Sequence, residues 1–323
     1  MSTIAIVGAS GYIGRHLVAE LLRLGGGRIK VLSRSGQRDF DTGGSGGALE
    51  IINGDLQQAA SLQGFLEADC TVINLVYLWG GGEPDNLRIT RNLLDACKAA
   101  RVGRLIHCST AAVVGRVPDD RITENIACCP VTEYGITKLK IEQAVIDAAR
   151  GYYDAAILRP TSVFGPAGDP LKELAGDLTA GSRFRNYLKS CLFGKRRMNL
   201  VHVANVVAAI LFLVQRTESL DGAVFIVSDD DSPANNFADV ERFLMRGLRI
   251  SDYSLPRLPI PLSVLGFLLA RLGRNNVNPR CNYAPDKLLG LGLRRPVSFE
   301  AGLAEYASWY RSSYLDKQGG SAG

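Results

Sequence analysis

Short, β-branched apolar runs alternate along the first half of the chain with longer stretches in which leucine, isoleucine and valine recur every three or four residues. Residues 3–7 (TIAIV) predict a strand buried on both faces. Leu17, Leu21 and Leu24, with Val18 and Leu22 beside them, fall on one face of a helix that follows. Ile29–Ser33, Glu50–Asn53, Thr71–Val76, Arg104–Cys108 and Ala155–Leu158 predict further strands, with helices over Leu87–Ala100 and Tyr134–Arg150. Such alternation over about 160 residues implies an α/β fold with a doubly wound parallel sheet. After Pro160 the pattern loosens. Residues 165–197 are helical and loop-like, followed by a strand at Leu200–Val203, a helix at Asn205–Gln215, a strand at Ala223–Val227 and a closing helix at Glu300–Tyr310. Ser35–Gly47 predicts a mobile polar loop, and Lys317–Gly323 a disordered tail. The apolar runs Val203–Val214 and Ile260–Ala270 are too short to span a bilayer. The second is expected to be a buried helix, with a weak membrane-surface contact as the alternative.

Composition narrows the class. With 46% hydrophobic and 21% charged residues, the chain is neither disordered nor a coiled coil. Residues 1–150 carry 16 side chains of each sign, so the whole net charge of +5 lies in the rest. No dense basic stripe interleaved with aromatics marks a nucleic-acid binder. Seven cysteines without a C-x-x-C, and three histidines, give no disulfide framework or metal site and fit a reducing compartment. The N-terminus MSTIAIVGAS runs straight into a strand and does not read as a signal peptide, so a cytoplasmic location is expected.

The chemistry begins after the first strand. Gly8, Gly11 and Gly14 stand between strand and helix, where glycine allows a tight turn, close approach of backbone to a pyrophosphate, and packing of helix on strand. The helix N-terminus then offers free N–H groups to phosphate. At the end of the second strand, where a carboxylate would select NAD, stand Ser33 and Arg34, with Arg38 close by and the first acid at Asp39. A guanidinium suits a 2′-phosphate, so NADP is favoured over NAD. Asp55 is expected at the adenine edge, or as a helix cap. Tyr134 and Lys138 are four apart on a helix and share a face. A neighbouring ammonium favours a phenolate, which can exchange a proton with an alcohol or ketone. Ser109 and Thr110 follow a strand directly, on the ligand side of a parallel sheet.

The segments GASGYIG (8–14), NGDL (53–56), STAAVVG (109–115), YGITK (134–138), RPTSVFGP (159–166), LVHVANVV (200–207) and SFEAGLAEYASWYR (298–311) resemble the extended short-chain dehydrogenase/reductase superfamily, in its nucleotide-sugar epimerase/dehydratase branch. The resemblance runs from about residue 3 to residue 311. It implies a Rossmann-type domain over 1–160 plus 198–227, a smaller mixed substrate lobe over 161–197 plus 228–312, and a flexible tail over 313–323. It implies Thr110, Tyr134 and Lys138 as the catalytic set. Cofactor contacts are expected from Gly8, Ser10, Gly11, Tyr12, Ile13, Gly14, Arg34, Asp55, Leu56, Leu75, Tyr134, Lys138, Pro160, Thr161 and Val163, and substrate contacts from Ser162, Arg196, Arg197 and Arg280. Family dehydratases carry Asp-Glu where Ala111 and Ala112 stand, so a 4,6-dehydratase is not expected. Tyr77 and Trp79 replace the usual small residues, and Met198 stands where the family arginine sits. His202 is expected to be structural.

Arg183, Arg185, Lys189, Lys195, Arg196 and Arg197 form a run without an acid, suited to a diphosphate. The expected function is therefore an NAD(P)-dependent epimerase or ketoreductase at a secondary alcohol, C4 of a nucleotide-activated sugar. A reductase of a non-sugar alcohol such as a steroid, or a non-catalytic sensor, is the alternative. By resemblance the chain forms a homodimer through Leu87–Ala100 and Ile136–Ala149, without membrane insertion.

Overall fold

A computed structural model describes residues 3–25, 27–35, 49–271 and 278–316. Apart from Ser35, the polar loop expected at Ser35–Gly47, with Arg38 and Asp39, lies outside the described residues, as does the tail from Lys317. In chain order the elements are β1 (Ile4–Val7), α1 (Tyr12–Leu24), β2 (Ile29–Ser33), β3 (Leu49–Asn53), β4 (Thr71–Asn74), α2 (Gly82–Ala100), β5 (Arg104–Cys108), β6 (Arg121–Ile122), α3 (Glu133–Ala149), β7 (Asp154–Pro160) and β8 (Ser162–Phe164). Then come α4 (Lys172–Ala180), α5 (Arg183–Phe193), β9 (Leu200–His202), α6 (Val203–Gln215), β10 (Ala223–Val227), α7 (Phe237–Gly247), α8 (Leu262–Arg271), β11 (Asn282–Tyr283), α9 (Asp286–Gly290) and α10 (Phe299–Tyr310).

The chain divides into two compact units. The first comprises Met1–Gly115, Ala127–Pro160 and Val207–Phe225, and the second Arg116–Ile126, Thr161–Val206 and Ile226–Gly323. A seven-stranded parallel sheet, in the order β10-β7-β5-β4-β1-β2-β3, organises the first. Connections run outward in both directions from β1 and β4, and a doubly wound sheet opens a ligand crevice at the carboxyl ends of such a pair. The strands are apolar because both faces are covered. Ala5, Val72, Leu105 and Ile157 meet Ile89, Leu93 and Cys97 of α2 and Ile141 and Val145 of α3 in one buried cluster. A buried pair ties α3 to β7, with Arg159 donating to both Glu142 carboxylate oxygens at 2.6–3.2 Å.

In the second unit, two short parallel pairs, β8 with β9 and β6 with β11, accompany the helices. Its core gathers Phe164, Leu200, Val240, Leu244, Leu303 and Tyr306. Gly247 lets α7 press on α10, since a Cβ there would lie 2.4 Å from that of Ala307.

One expectation fails here. The apolar run Ile260–Ala270 does form a helix, α8, but only Leu265 and Leu269 are buried. Val264, Phe267 and Leu268, on the opposite side, are exposed. The helix is apolar on two faces, and the unit covers one of them. Among the described residues, no helix is long and apolar enough to cross a membrane.

Candidate active site

The glycine turn lies in the crevice of the first unit. Gly8 adopts a φ of 83°, and a Cβ on it would come within 3.0 Å of the Leu75 carbonyl carbon after β4. A Cβ on Gly14 would fall 2.4 Å from the Gly8 carbonyl oxygen, so α1 can start against the turn only without a side chain there. Gly11 caps α1 with no side-chain hydrogen bond, and the first turn holds no acid. The N-terminus of α1 thus faces this turn without an acidic side chain against it, and its dipole favours an anion there. This arrangement fits a dinucleotide pyrophosphate, with Ser10, Tyr12 and Ile13 on the same turn. Arg34 stands exposed directly after β2. Asp55 accepts from the Gln57 N–H at 2.9 Å, so one of its carboxylate oxygens shapes its own turn, and Leu56 is buried in the core.

Thr110, Tyr134 and Lys138 come together at the carboxyl end of β5. Thr132 caps α3 by accepting from the Gly135 N–H at 3.0 Å. A Cβ on Gly135 would sit 2.8 Å from the Ala112 carbonyl oxygen, so the start of α3 presses on the Thr110 turn. Thr110 accepts from the Ala112 N–H at 3.2 Å, which leaves its hydroxyl proton for Tyr134. Burial pushes the Tyr134 hydroxyl up to about 12, and the hydrogen bond from Thr110 opposes this in part. Lys138 is buried and donates to the Cys108 carbonyl at 2.9 Å. Desolvation holds its pKa below the usual lysine range. The ammonium expected to partner the phenol is thus anchored on backbone one turn along α3. Ser109 is buried, and its N–H donates to the Leu158 carbonyl at 2.7 Å. The fully buried His107 is kept neutral by burial and, second, by the Lys138 charge.

The bulky Tyr77 and Trp79 that the sequence sets apart cover this set, a placement that sequence reasoning did not give. Trp79 stacks on Tyr134 with ring centroids 4.9 Å apart, and Tyr77 meets the same ring edge-on at 4.8 Å. The loop that carries both rings is braced by the buried Asn86 of α2. Its Oδ1 accepts from the Leu78 N–H at 2.9 Å, while Nδ2 donates to the carbonyls of Leu78 and Gly82 at 3.0 and 2.7 Å. An asparagine on the apolar stripe of a helix was the available signal.

Pro160 ends β7 in the first unit, and the remaining candidates belong to the second. Thr161 is buried, with its N–H on the Val227 carbonyl at 3.0 Å, while Ser162 is exposed on β8 beside the half-buried Val163. A cavity of about 320 Å³ is lined by Lys189, Phe193, Arg196, Arg197, Asn199 and Phe237 together with Glu173, Leu174 and Asp177. The basic run therefore splits. Lys189, Arg196 and Arg197 line the cavity, whereas Arg183, Arg185 and Lys195 are exposed. The run is not unopposed, because Asp177 of α4 pairs with Lys189 at 2.5 Å and Arg185 at 3.0 Å. Arg197 donates to the carbonyls of Asp230 and Ser232 at 2.6 and 3.2 Å, and the Arg196 guanidinium lies 5.7 Å from the centre of the Phe193 ring. Arg280 is exposed and does not line this cavity. His202 is buried against Phe164, and its Nε2 lies 3.4 Å from Glu305.

The profile of the NAD dependent epimerase/dehydratase family matches residues 4–227. The chain belongs to that family. Within it, the chain is 26% identical to Sterol demethylase protein B of Methylococcus capsulatus, over 96% of this chain and 98% of that one. It is also 26% identical to the human sterol-4-alpha-carboxylate 3-dehydrogenase, decarboxylating, over 79% of this chain and 68% of that protein. Among solved structures, the UDP-glucose 4-epimerase of Thermus thermophilus, in complex with NAD, shares the fold with a TM-score of 0.68 at 20% identity, covering 96% of this chain and 99% of that one. RMD from Pseudomonas aeruginosa, complexed with NADPH, does so with a TM-score of 0.68 at 18% identity, covering 97% of this chain and 100% of that one.

Proposed function

We propose that this family member is an NAD(P)-dependent epimerase or ketoreductase acting at a secondary alcohol or ketone, C4 of a nucleotide-activated sugar. The observation that carries the reaction type is the Thr110–Tyr134 hydroxyl pair beside the buried Lys138, at the strand ends that border the glycine turn. Gly8 to Gly14, Arg34, Leu75 and Lys138 would hold the dinucleotide, and the exposed Arg34 supports NADP over NAD. A nicotinamide bound there supplies or takes up the hydride. Tyr134 is protonated at neutral pH, and burial pushes its pKa further up; in that form it gives its proton to a ketone oxygen, and in the reverse direction its phenolate takes one from an alcohol. Thr110 holds that oxygen in place, and Lys138 supplies a fixed positive charge to the site. Ala111 and Ala112 carry no titratable group, so elimination of water has no acid or base there.

The cavity of the second unit supports the nucleotide-sugar reading. Phe193 and Phe237 give it apolar walls suited to a base, and Arg196 and Arg197 give it phosphate donors. The sterol-directed relatives, together with the aromatic cover on Tyr134, favour an apolar ring alcohol as the second reading. Thermal-shift assays with nucleotide sugars and with a hydroxysterol, each with NAD and with NADP, separate the two. Stabilisation by a nucleotide sugar is expected, and Arg196→Glu with Arg197→Glu should raise its KM by more than about tenfold. Stabilisation by the sterol alone, with KM unmoved by the reversals, would replace the sugar reading.

A further inference from the structure

Seven of the fourteen large apolar side chains exposed among the described residues fall in two stretches of the second unit, α5 and residues 255–268. These stretches form one surface. Arg183 on α5 donates to the carbonyls of Ser251 and Asp252 at 3.2 and 2.9 Å. The Tyr187 hydroxyl donates to the Pro256 carbonyl at 2.9 Å, and the Ile260 N–H to the Cys191 carbonyl at 3.2 Å. Residues 251–260 are therefore strapped along α5 and deliver α8 directly. Phe184 on the helix and Leu258 on the strap are each 70% exposed. On α8, Val264, Phe267 and Leu268 recur at i, i+3 and i+4 and make one outward apolar face, with Arg271 at i+7 on the same side. The Arg271 guanidinium lies 5.2 Å from the centre of the Phe267 ring.

The charge on this surface points to its occupant. Across α5 and residues 251–271 the two stretches hold five cations, Arg183, Arg185, Lys189, Arg257 and Arg271, and the carboxylates paired with them are Asp177, Glu241 and Asp252. Arg183, Arg185, Lys195 and Arg271 are exposed. A second copy in a two-fold contact would bring these exposed cations against one another, whereas interface cores are depleted of charge. Apolar side chains flanked by cations on a helix lying flat suit a surface that is apolar within and anionic at its rim.

We propose that this face of the second unit docks on an anionic phospholipid surface. The helix α8 lies in the interface plane, with Val264, Phe267 and Leu268 among the acyl chains and Arg183, Arg185, Lys195 and Arg271 at the headgroup phosphates. The full chain, centrifuged with phosphatidylcholine vesicles with and without phosphatidylglycerol, should sediment with the anionic vesicles only, and less as salt rises. Arg271→Gln should weaken partitioning about fivefold. The pair Leu258→Asp and Phe267→Asp should abolish it with Tm unchanged, because both side chains are exposed. Equal sedimentation with both vesicle types, or with neither, would overturn the proposal. So would light scattering of a dimer that the Leu258→Asp and Phe267→Asp pair dissociates, because the face would then belong to a second copy.

Discussion

At the scale of single residues, the acid–base group is set by what covers it. Tyr134 is pushed up to about 12 chiefly by burial, and Trp79, itself 79% exposed, stacks on its ring. Tyr134→Phe should lower kcat by about a hundredfold or more while cofactor affinity, followed by fluorescence titration, stays within about twofold. A fully active Phe variant would refute the assignment. Trp79→Ala should admit water to the phenol and lower its pKa. Alcohol oxidation needs Tyr134 deprotonated, so its rate should rise with pH below that pKa. The rising limb should therefore move to lower pH by about one unit in the Ala variant. Tyr134 and Lys138 were legible because helical spacing is local. The anchor of Lys138 was not, since a backbone carbonyl at Cys108 leaves no mark in the sequence. Tyr77 and Trp79 stood out as bulky, but not as cover for Tyr134, since their loop lies more than fifty residues before it.

At the scale of elements, β1, the glycine turn and α1 were legible together because each signal sits next to the other. Gly14→Ala is the sharpest test of that unit. Its Cβ would meet the Gly8 and Ala9 carbonyl oxygens at 2.4 and 2.6 Å, and backbone cannot step aside cheaply. The expected cost is about 1–3 kcal/mol in thermal unfolding, with loss of dinucleotide affinity as the turn shifts. Unchanged melting and unchanged affinity would mean that α1 can slide. The helix α8 shows where periodicity stops being informative. With apolar residues on two faces, nothing local says which face the fold will cover. The basic run 183–197 holds no acid along the chain, yet in the fold Asp177 of the preceding helix pairs with two of its members, which no local pattern could show.

At the scale of the whole molecule, the alternation of strands and helices was enough to imply the doubly wound sheet, because each parallel strand needs a crossover and each crossover a turn. The polar network of the second unit was not legible, since its members are scattered along the chain. Asp230 is fully buried and accepts from Asn199 at 2.7 Å, Asn235 at 2.8 Å and the Tyr283 N–H at 2.9 Å. Burial pushes its carboxyl up to about 6. The unfolded value is about 3.9, so the folded state holds this proton more tightly. The stability it contributes is complete below about pH 3.9 and is lost as pH rises through about 6. The Tm gap between wild type and Asp230→Asn should therefore move in favour of the wild type as pH falls from about 7 to about 4. A gap constant across that range would show that Asp230 does not titrate there. The brace at Asn86 has a consequence of another kind. The loop over Tyr134 keeps its shape through one buried amide on backbone carbonyls and an N–H, and the aromatic rings it displays take no part in those three bonds. Scaffold and reading head are separate, so a library at positions 77 and 79 could retune which molecules the phenol meets while the frame that presents them stays fixed.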